Sequence, residues 1–380
     1  MFIGIDARMY GPKQGGLGRY IQQLILNLES LDIENDHFVI FLNKENWDEY
    51  EPGNPHFKKV LADIPWYGLS EQIKLPRLIK TEQIDLMHFP HWNVPLRYDD
   101  PFVVTIHDLL LLHYPTQRAS TLDFFTYKLK YQGYLLSLKH AAKKSKRIIT
   151  VSNFSKADIC KTLEVPAEKI AVTYLAPYLS ESIPDELPEA EDQILLKKYN
   201  ITKPYVIYVG VAYPHKNLEG LLAAWKIFEE KYSKNYQLVF VGKNNFFYDR
   251  LKQNKIINEM ENKPIFTDFV SDSDLSVFYR HASLYVFPSF YEGFGLPPLE
   301  AMAYGVPIVA ANATSLPEIL KDAAHYFYPD SNFEIAKAMN SVLTDDALRV
   351  KLIEAGQKMY PQYSWMKLAK QTWEIYKNSV

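Results

Sequence analysis

Residues 283–305, SLYVFPSFYEGFGLPPLEAMAYG, take the backbone through strand, loop, helix and strand in quick succession. Ser283 to Phe287 is a short apolar run of β-formers, the pattern of a buried strand. Glu292-Gly-Phe-Gly295 follows as a loop in which two glycines permit positive φ or close approach of a ligand to backbone. Pro297 and Pro298 fit the first turn of a helix, where a missing N–H costs nothing. Gly305 suits the position just past the helix end, and Val306 to Ala311 opens another buried strand. This is the repeating unit of an open α/β sheet, which binds ligands in loops at the carboxyl ends of its strands. Two carboxylates fall here, Glu292 in the loop and Glu300, placed by the pattern in the first helical turn. Both can face one cleft beside the free N–H groups of the helix start. Amides suit diphosphate oxygens, and a carboxylate suits a sugar or ribose diol. On residues alone, Glu300 reads equally well as an acid favouring the helix dipole, and Glu292 as a solvated loop residue.

The same alternation runs through the chain. Strands are expected at Phe2 to Ala7, Phe38 to Leu42, Val60 to Asp63, Asp85 to Pro90, Phe102 to Ile106 and Ile148 to Val151. Helical spacing marks Leu17 to Leu31, a stretch after Leu69, Ser120 to Ser145 and Asn153 to Leu163. Pro177 to Gln193 carries three prolines, many acidic residues and few apolar side chains, the composition of a linker. Strands resume at Tyr205 to Gly210, Gln237 to Gly242 and Phe266 to Val270, and Phe333 to Tyr360 supplies helices. The chain closes on an amphipathic helix from Tyr363 to Tyr376 with Trp365 and Trp373 as packing anchors. At 380 residues two domains are expected, each a doubly wound parallel sheet. A net charge of −3 argues against nucleic acid as the main partner, and the single cysteine, Cys160, rules out an intramolecular disulfide. No apolar run approaches bilayer length, and the N-terminus reads as a strand and not a signal peptide, so a cytoplasmic protein is expected.

Other loops carry candidate chemistry. Gly15, Gly16 and Gly18 lie between the first strand and first helix, where a phosphate cradle could form. A dinucleotide fingerprint fails there, because the third glycine and the closing acidic residue are missing and Arg8 to Gln14 make the loop too long. His107-Asp108 ends the fifth strand, where parallel sheets place site residues. His88, His91 and His113 have no zinc spacing. Lys216 precedes a helix start after strand and glycine, so its ammonium could serve a diphosphate or simply sit at the surface. Asp272-Ser-Asp274 is formally D-x-D, but Ser271 or Asp272 capping the next helix explains it better, and no metal is assigned. The basic end of the third helix, Lys139 to Arg147, reads as a solvated face, with anionic membrane lipid as the sharper reading.

The segment E-G-F-G-L-P-P-L-E-A-M-A-Y-G-V-P-I-V-A, continuing to Ser315-Leu-Pro-Glu318, closely resembles the E-x7-E signature of the retaining GT-B glycosyltransferases of family 4 (glycosyl transferases group 1), mannosyltransferases among them. The resemblance implies a GT-B fold, two Rossmann-like domains facing a cleft: 1–177 on the acceptor side, a linker at 178–193, a nucleotide-sugar domain at 194–362, and 363–380 returning to brace the first domain. It implies that Glu300 holds the nucleotide ribose, that Glu292 and His107 meet the donor sugar, and that Lys216 neutralises the leaving diphosphate. Backbone amides at Gly15, Gly16, Gly293, Phe294, Gly295 and Leu296 would complete donor binding. The family's usual G-R-x-x-x-x-K-N is broken here, because Val211 stands at the arginine, with His215 as a candidate substitute. The implied reaction is retaining transfer of a sugar, with GDP-mannose as the favoured donor, to a glycan or lipid-linked acceptor in surface polysaccharide synthesis. No cofactor or metal is expected; peripheral contact with the inner face of a membrane is. A non-catalytic nucleotide-sugar-binding regulator is the alternative.

Overall fold

The computed structural model describes residues 1–33, 35–116, 118, 120, 123–179 and 189–380. The chain divides into two compact units. The first comprises Met1–Leu109, Leu122–Leu175 and Ser364–Val380, the second Leu110–Thr121 and Ala176–Tyr363.

The first unit holds seven strands: β1 Phe2–Asp6, β2 His37–Leu42, β3 Phe57–Leu61, β4 Leu86–Phe89, β5 Phe102–Thr105, β6 Arg147–Thr150 and β7 Ile170–Val172. Their spatial order is β3-β2-β1-β4-β5-β6-β7 and every pairing is parallel. Parallel strands need crossovers, and intervening helices such as Gly15–Glu29 and Asn153–Leu163 supply them. The central strands are predominantly apolar because both faces of such a sheet are covered. The terminal helix Trp365–Lys377 belongs to this unit and lies against Gly15–Glu29. Trp373 donates its Nε1–H to Asp36 at 2.8 Å, and the buried Tyr376 hydroxyl bonds His88 Nδ1 at 2.6 Å.

The second unit holds six: β8 Tyr205–Val209, β9 Gln237–Val241, β10 Ile265–Phe266, β11 Leu284–Phe287, β12 Ile308–Ala311 and β13 Ala324–Phe327. Their order is β10-β9-β8-β11-β12-β13, again all parallel. In each sheet the order reverses once, between β1 and β4 and between β8 and β11. The carboxyl ends of those strands open the crevice where doubly wound sheets take ligands.

Several local expectations shift. The helix expected from Ser120 is described from Phe124, where the Asp123 carboxylate accepts the amides of Phe125 and Thr126. The strand expected to start at Val60 begins at Phe57, because Phe57 pairs and stacks with Phe38. Of the expected linker, 180–188 lie outside the described residues. Its end is no linker: Glu189–Lys198 is a helix, tied down where Asp192 accepts from Arg280 Nη2 at 3.0 Å and meets His281 Nε2 at 2.8 Å.

Candidate functional site

The second unit builds its site from the loops after β8 and β11, the two strands at the switch point. After β8 the chain turns through Gly210, whose φ of +147° favours glycine, into a single 3-10 turn, Pro214–Lys216. Asn217 then takes a left-handed conformation, φ +57°, and starts the helix Leu218–Lys231. Its side-chain amide donates to the carbonyls of Pro288 at 3.2 Å and Pro329 at 2.8 Å, so the β8 loop is stitched to the end of β11. A Cβ at Gly220 would lie 2.2 Å from Asn217 Oδ1 and push that side chain off its two carbonyl contacts.

That stitching brings Lys216 and Glu292 together. Lys216 Nζ donates to Glu292 Oε1 at 2.6 Å, with side-chain exposures of 16% and 11%. Phe287, at the end of β11, lies under the ammonium at 5.7 Å. The Glu292 loop is held from behind. Its amide donates to Thr314 Oγ1 at 3.0 Å, and Ser315 Oγ donates to the carbonyls of Glu292 and Phe294 at 2.9 and 3.2 Å. Thr314 has φ +52°, an uncommon state for a β-branched residue and a mark of backbone strained to position a loop. Gly295, at φ +99°, lets the chain turn into the helix Leu296–Ala303. The N–H groups of Gly295 and Leu296 make no hydrogen bond among the described residues. Phe294 is buried, edge-on to Tyr363.

Glu300 is the fifth residue of that helix and so lies beyond the first turn, where its pattern had placed it. Its Oε2 accepts from the buried Tyr279 hydroxyl at 3.1 Å, which holds the carboxylate in one orientation. His215 does not replace the absent arginine's charge: burial, and then Lys216 beside it, push its pKa down to about 4, leaving it neutral near pH 7. The Asp272–Asp274 stretch is a helix start, with Ser271 Oγ accepting the Asp274 amide at 3.1 Å. Among the described residues no three His, Cys, Asp or Glu side chains gather as a metal site.

The first unit carries the remaining candidates. Gly15 and Gly16 are the first residues of the helix Gly15–Glu29, not part of a long loop. A Cβ at either would meet nothing within 4 Å, so the backbone there is open to a ligand. Gly18 differs: its Cβ would fall 2.0 Å from the Gly11 carbonyl, so it is a packing glycine. His107 donates Nε2–H to the Pro90 carbonyl at 3.1 Å, which fixes the tautomer and leaves Nδ1 as an acceptor. Burial lowers its pKa to about 4, so the ring is neutral near pH 7. Tyr20 packs edge-on to it at 4.8 Å. A buried chain runs behind: Tyr20 hydroxyl to Thr105, Thr105 to His88, and His88 to Tyr376 of the terminal helix.

Sequence reasoning missed Thr314, Asn217, Tyr279 and the His88–Tyr376 pair. The asparagine before a helix could have been read as a left-handed start. The others had no local signal, since their partners are distant in sequence.

A pair of doubly wound parallel sheets, one with a lysine–glutamate pair at its switch point and open backbone donors around it, defines the GT-B class. Residues 192–359 match the family model described as Glycosyl transferases group 1, and residues 14–176 match Glycosyltransferase Family 4. The chain belongs to this glycosyltransferase family. It is 33% identical over 379 residues to O-antigen chain mannosyltransferase B of Escherichia coli, covering 95% of this chain and 96% of that one. It is 30% identical to O-antigen chain mannosyltransferase RfbU of Salmonella typhimurium, covering 74% of this chain and 71% of that one. The fold is similar to that of Anabaena Alr3699/HepE, solved in complex with UDP-glucose, with a TM-score of 0.73 at 17% identity and 99% coverage of each chain.

Proposed function

We propose that this glycosyltransferase moves mannose from GDP-mannose, with retention of anomeric configuration, to a glycan or lipid-linked acceptor of a surface polysaccharide. The observation that carries this reading is the Lys216–Glu292 pair at the β8/β11 switch point, in a chain similar over nearly its whole length to an O-antigen mannosyltransferase. Cleavage of the bond between the sugar's anomeric carbon and the diphosphate leaves positive character on the sugar and negative charge on the leaving group. Lys216 and the amides of Gly293 to Leu296 answer the second, and Glu292 answers the first. His107, neutral, offers an acceptor to a donor-sugar hydroxyl; the open backbone at Gly15 and Gly16 serves the diphosphate, and Glu300 the ribose diol. No step uses a metal or cofactor.

A lipid-linked acceptor would bring the chain to a membrane face. No helix among the described residues is long and apolar enough to cross a membrane. The helix Phe124–Lys144 fits a peripheral contact instead: it has five lysines and no acidic residue, and Phe125, Leu129 and Leu136 are exposed on one side of it.

The test is calorimetric titration with GDP, UDP and ADP, followed by turnover of the sugar forms and NMR of the product's anomeric proton. Selective GDP binding, mannose transfer and retention are the expected results. Selective binding of UDP or ADP removes the mannose donor, and an inverted product removes retention.

A further inference from the structure

The loop where the family places an arginine is held in an unusual way. Three buried tyrosines donate to three successive carbonyls of it: Tyr285 to Val209 at 3.4 Å, Tyr248 to Gly210 at 2.8 Å and Tyr208 to Val211 at 3.0 Å. They come from β11, from the helix Phe246–Lys252 and from β8 itself. Gly242 makes room for the middle contact, since a Cβ there would lie 2.1 Å from the Gly210 carbonyl. Gly210 is itself glycine for the same purpose: its φ is +147°, and a Cβ would come 2.9 Å from the Tyr208 hydroxyl. Burial raises the pKa of all three phenols, so they stay neutral donors.

In a trans peptide the carbonyl and the next N–H point in opposite directions. Drawing the Gly210 and Val211 carbonyls onto Tyr248 and Tyr208 therefore turns the N–H groups of Val211 and Ala212 away from the buried cluster. Neither N–H has a hydrogen-bond partner among the described residues, whereas the Gly210 N–H is used by the Val241 carbonyl of β9. Val211 is exposed and Ala212 is buried, so the turn meets solvent at Val211. The cluster adjoins the lysine–glutamate pair, since Phe287 packs near both the Tyr208 ring and the Lys216 ammonium.

We infer that the backbone amides of Val211 and Ala212, aimed by Tyr248 and Tyr208, bind the donor's diphosphate in place of the missing arginine. Two adjacent outward amides form a small anion cradle, and Lys216 supplies the charge that a guanidinium would have brought. The tyrosines are positioning residues; they act through the peptides they hold. This role rests on the nucleotide-sugar transferase reading.

The test compares GDP and UDP with guanosine and uridine, by calorimetry and by ligand-observed NMR for the weaker nucleosides. Tyr248→Phe and Tyr208→Phe release a carbonyl, and Val211→Pro removes one N–H. Each is expected to weaken binding of the preferred diphosphate about tenfold or more while leaving affinity for its nucleoside unchanged. A merely structural role would move both ligands together. If Val211→Pro does not fold, the two tyrosine variants decide. Variants that bind nucleoside normally and diphosphate within about twofold of the unmodified chain overturn the inference alone. Failure of the unmodified chain to bind either diphosphate overturns the transferase reading and this role with it.

Discussion

Glu292→Gln tests the site through a gain and a loss in the same variant. Lys216 Nζ sits 2.6 Å from Glu292 Oε1, so an arriving diphosphate meets a nearly neutral pair. The amide keeps the shape of the side chain and an oxygen to accept the lysine, but removes the negative charge. At about 6 Å and an effective dielectric of about 20 to 40, one unit charge is worth about 1.5–3 kcal/mol to a phosphate charge. Free GDP or UDP should therefore bind roughly ten- to a hundredfold more tightly, with the gain shrinking as salt is raised. Sugar transfer should fall, because the carboxylate no longer faces the positive character of the sugar. Calorimetry at two ionic strengths and a turnover assay read both effects. Unchanged or weaker diphosphate binding would show that Lys216 does not face the phosphates, and the leaving-group role would have to be abandoned.

Glu300→Gln should retain the Tyr279 contact, and with it most of the stability, while weakening nucleotide binding about tenfold. An unaltered nucleotide affinity would remove the ribose role. The helix Phe124–Lys144 should sediment the chain with vesicles containing anionic lipid and not with neutral ones, and Phe125→Asp with Leu129→Asp should abolish the effect. Equal binding of the double variant would refute the membrane surface.

Local chemistry determined the order of elements. Apolar β-rich runs, glycine loops and proline-led helix starts are dictated by the backbone preferences of nearby residues, so the alternation of strands and helices could be read directly. The loops carrying Glu292, Lys216, His107 and the early glycines could be read with it, because in parallel sheets the carboxyl ends of strands follow from the same alternation. Element ends were less legible: Asp123 trimmed one helix, Phe57 extended one strand, and Glu300 fell one turn further along its helix.

Strand order was decided only in three dimensions. It sets β8 beside β11, and that adjacency joins Lys216 to Glu292 across 76 positions of sequence. The same is true of Asn217 reaching Pro329, of Thr314 strained beneath the Glu292 amide, and of His88 meeting Tyr376 across 288 positions. It is also true of the three tyrosines around Gly210, which as isolated residues look like ordinary strand and helix aromatics. No dihedral preference or periodicity encodes such pairings. They arise when packed layers bring distant side chains within hydrogen-bond reach, where a buried hydroxyl or carbonyl must find a partner.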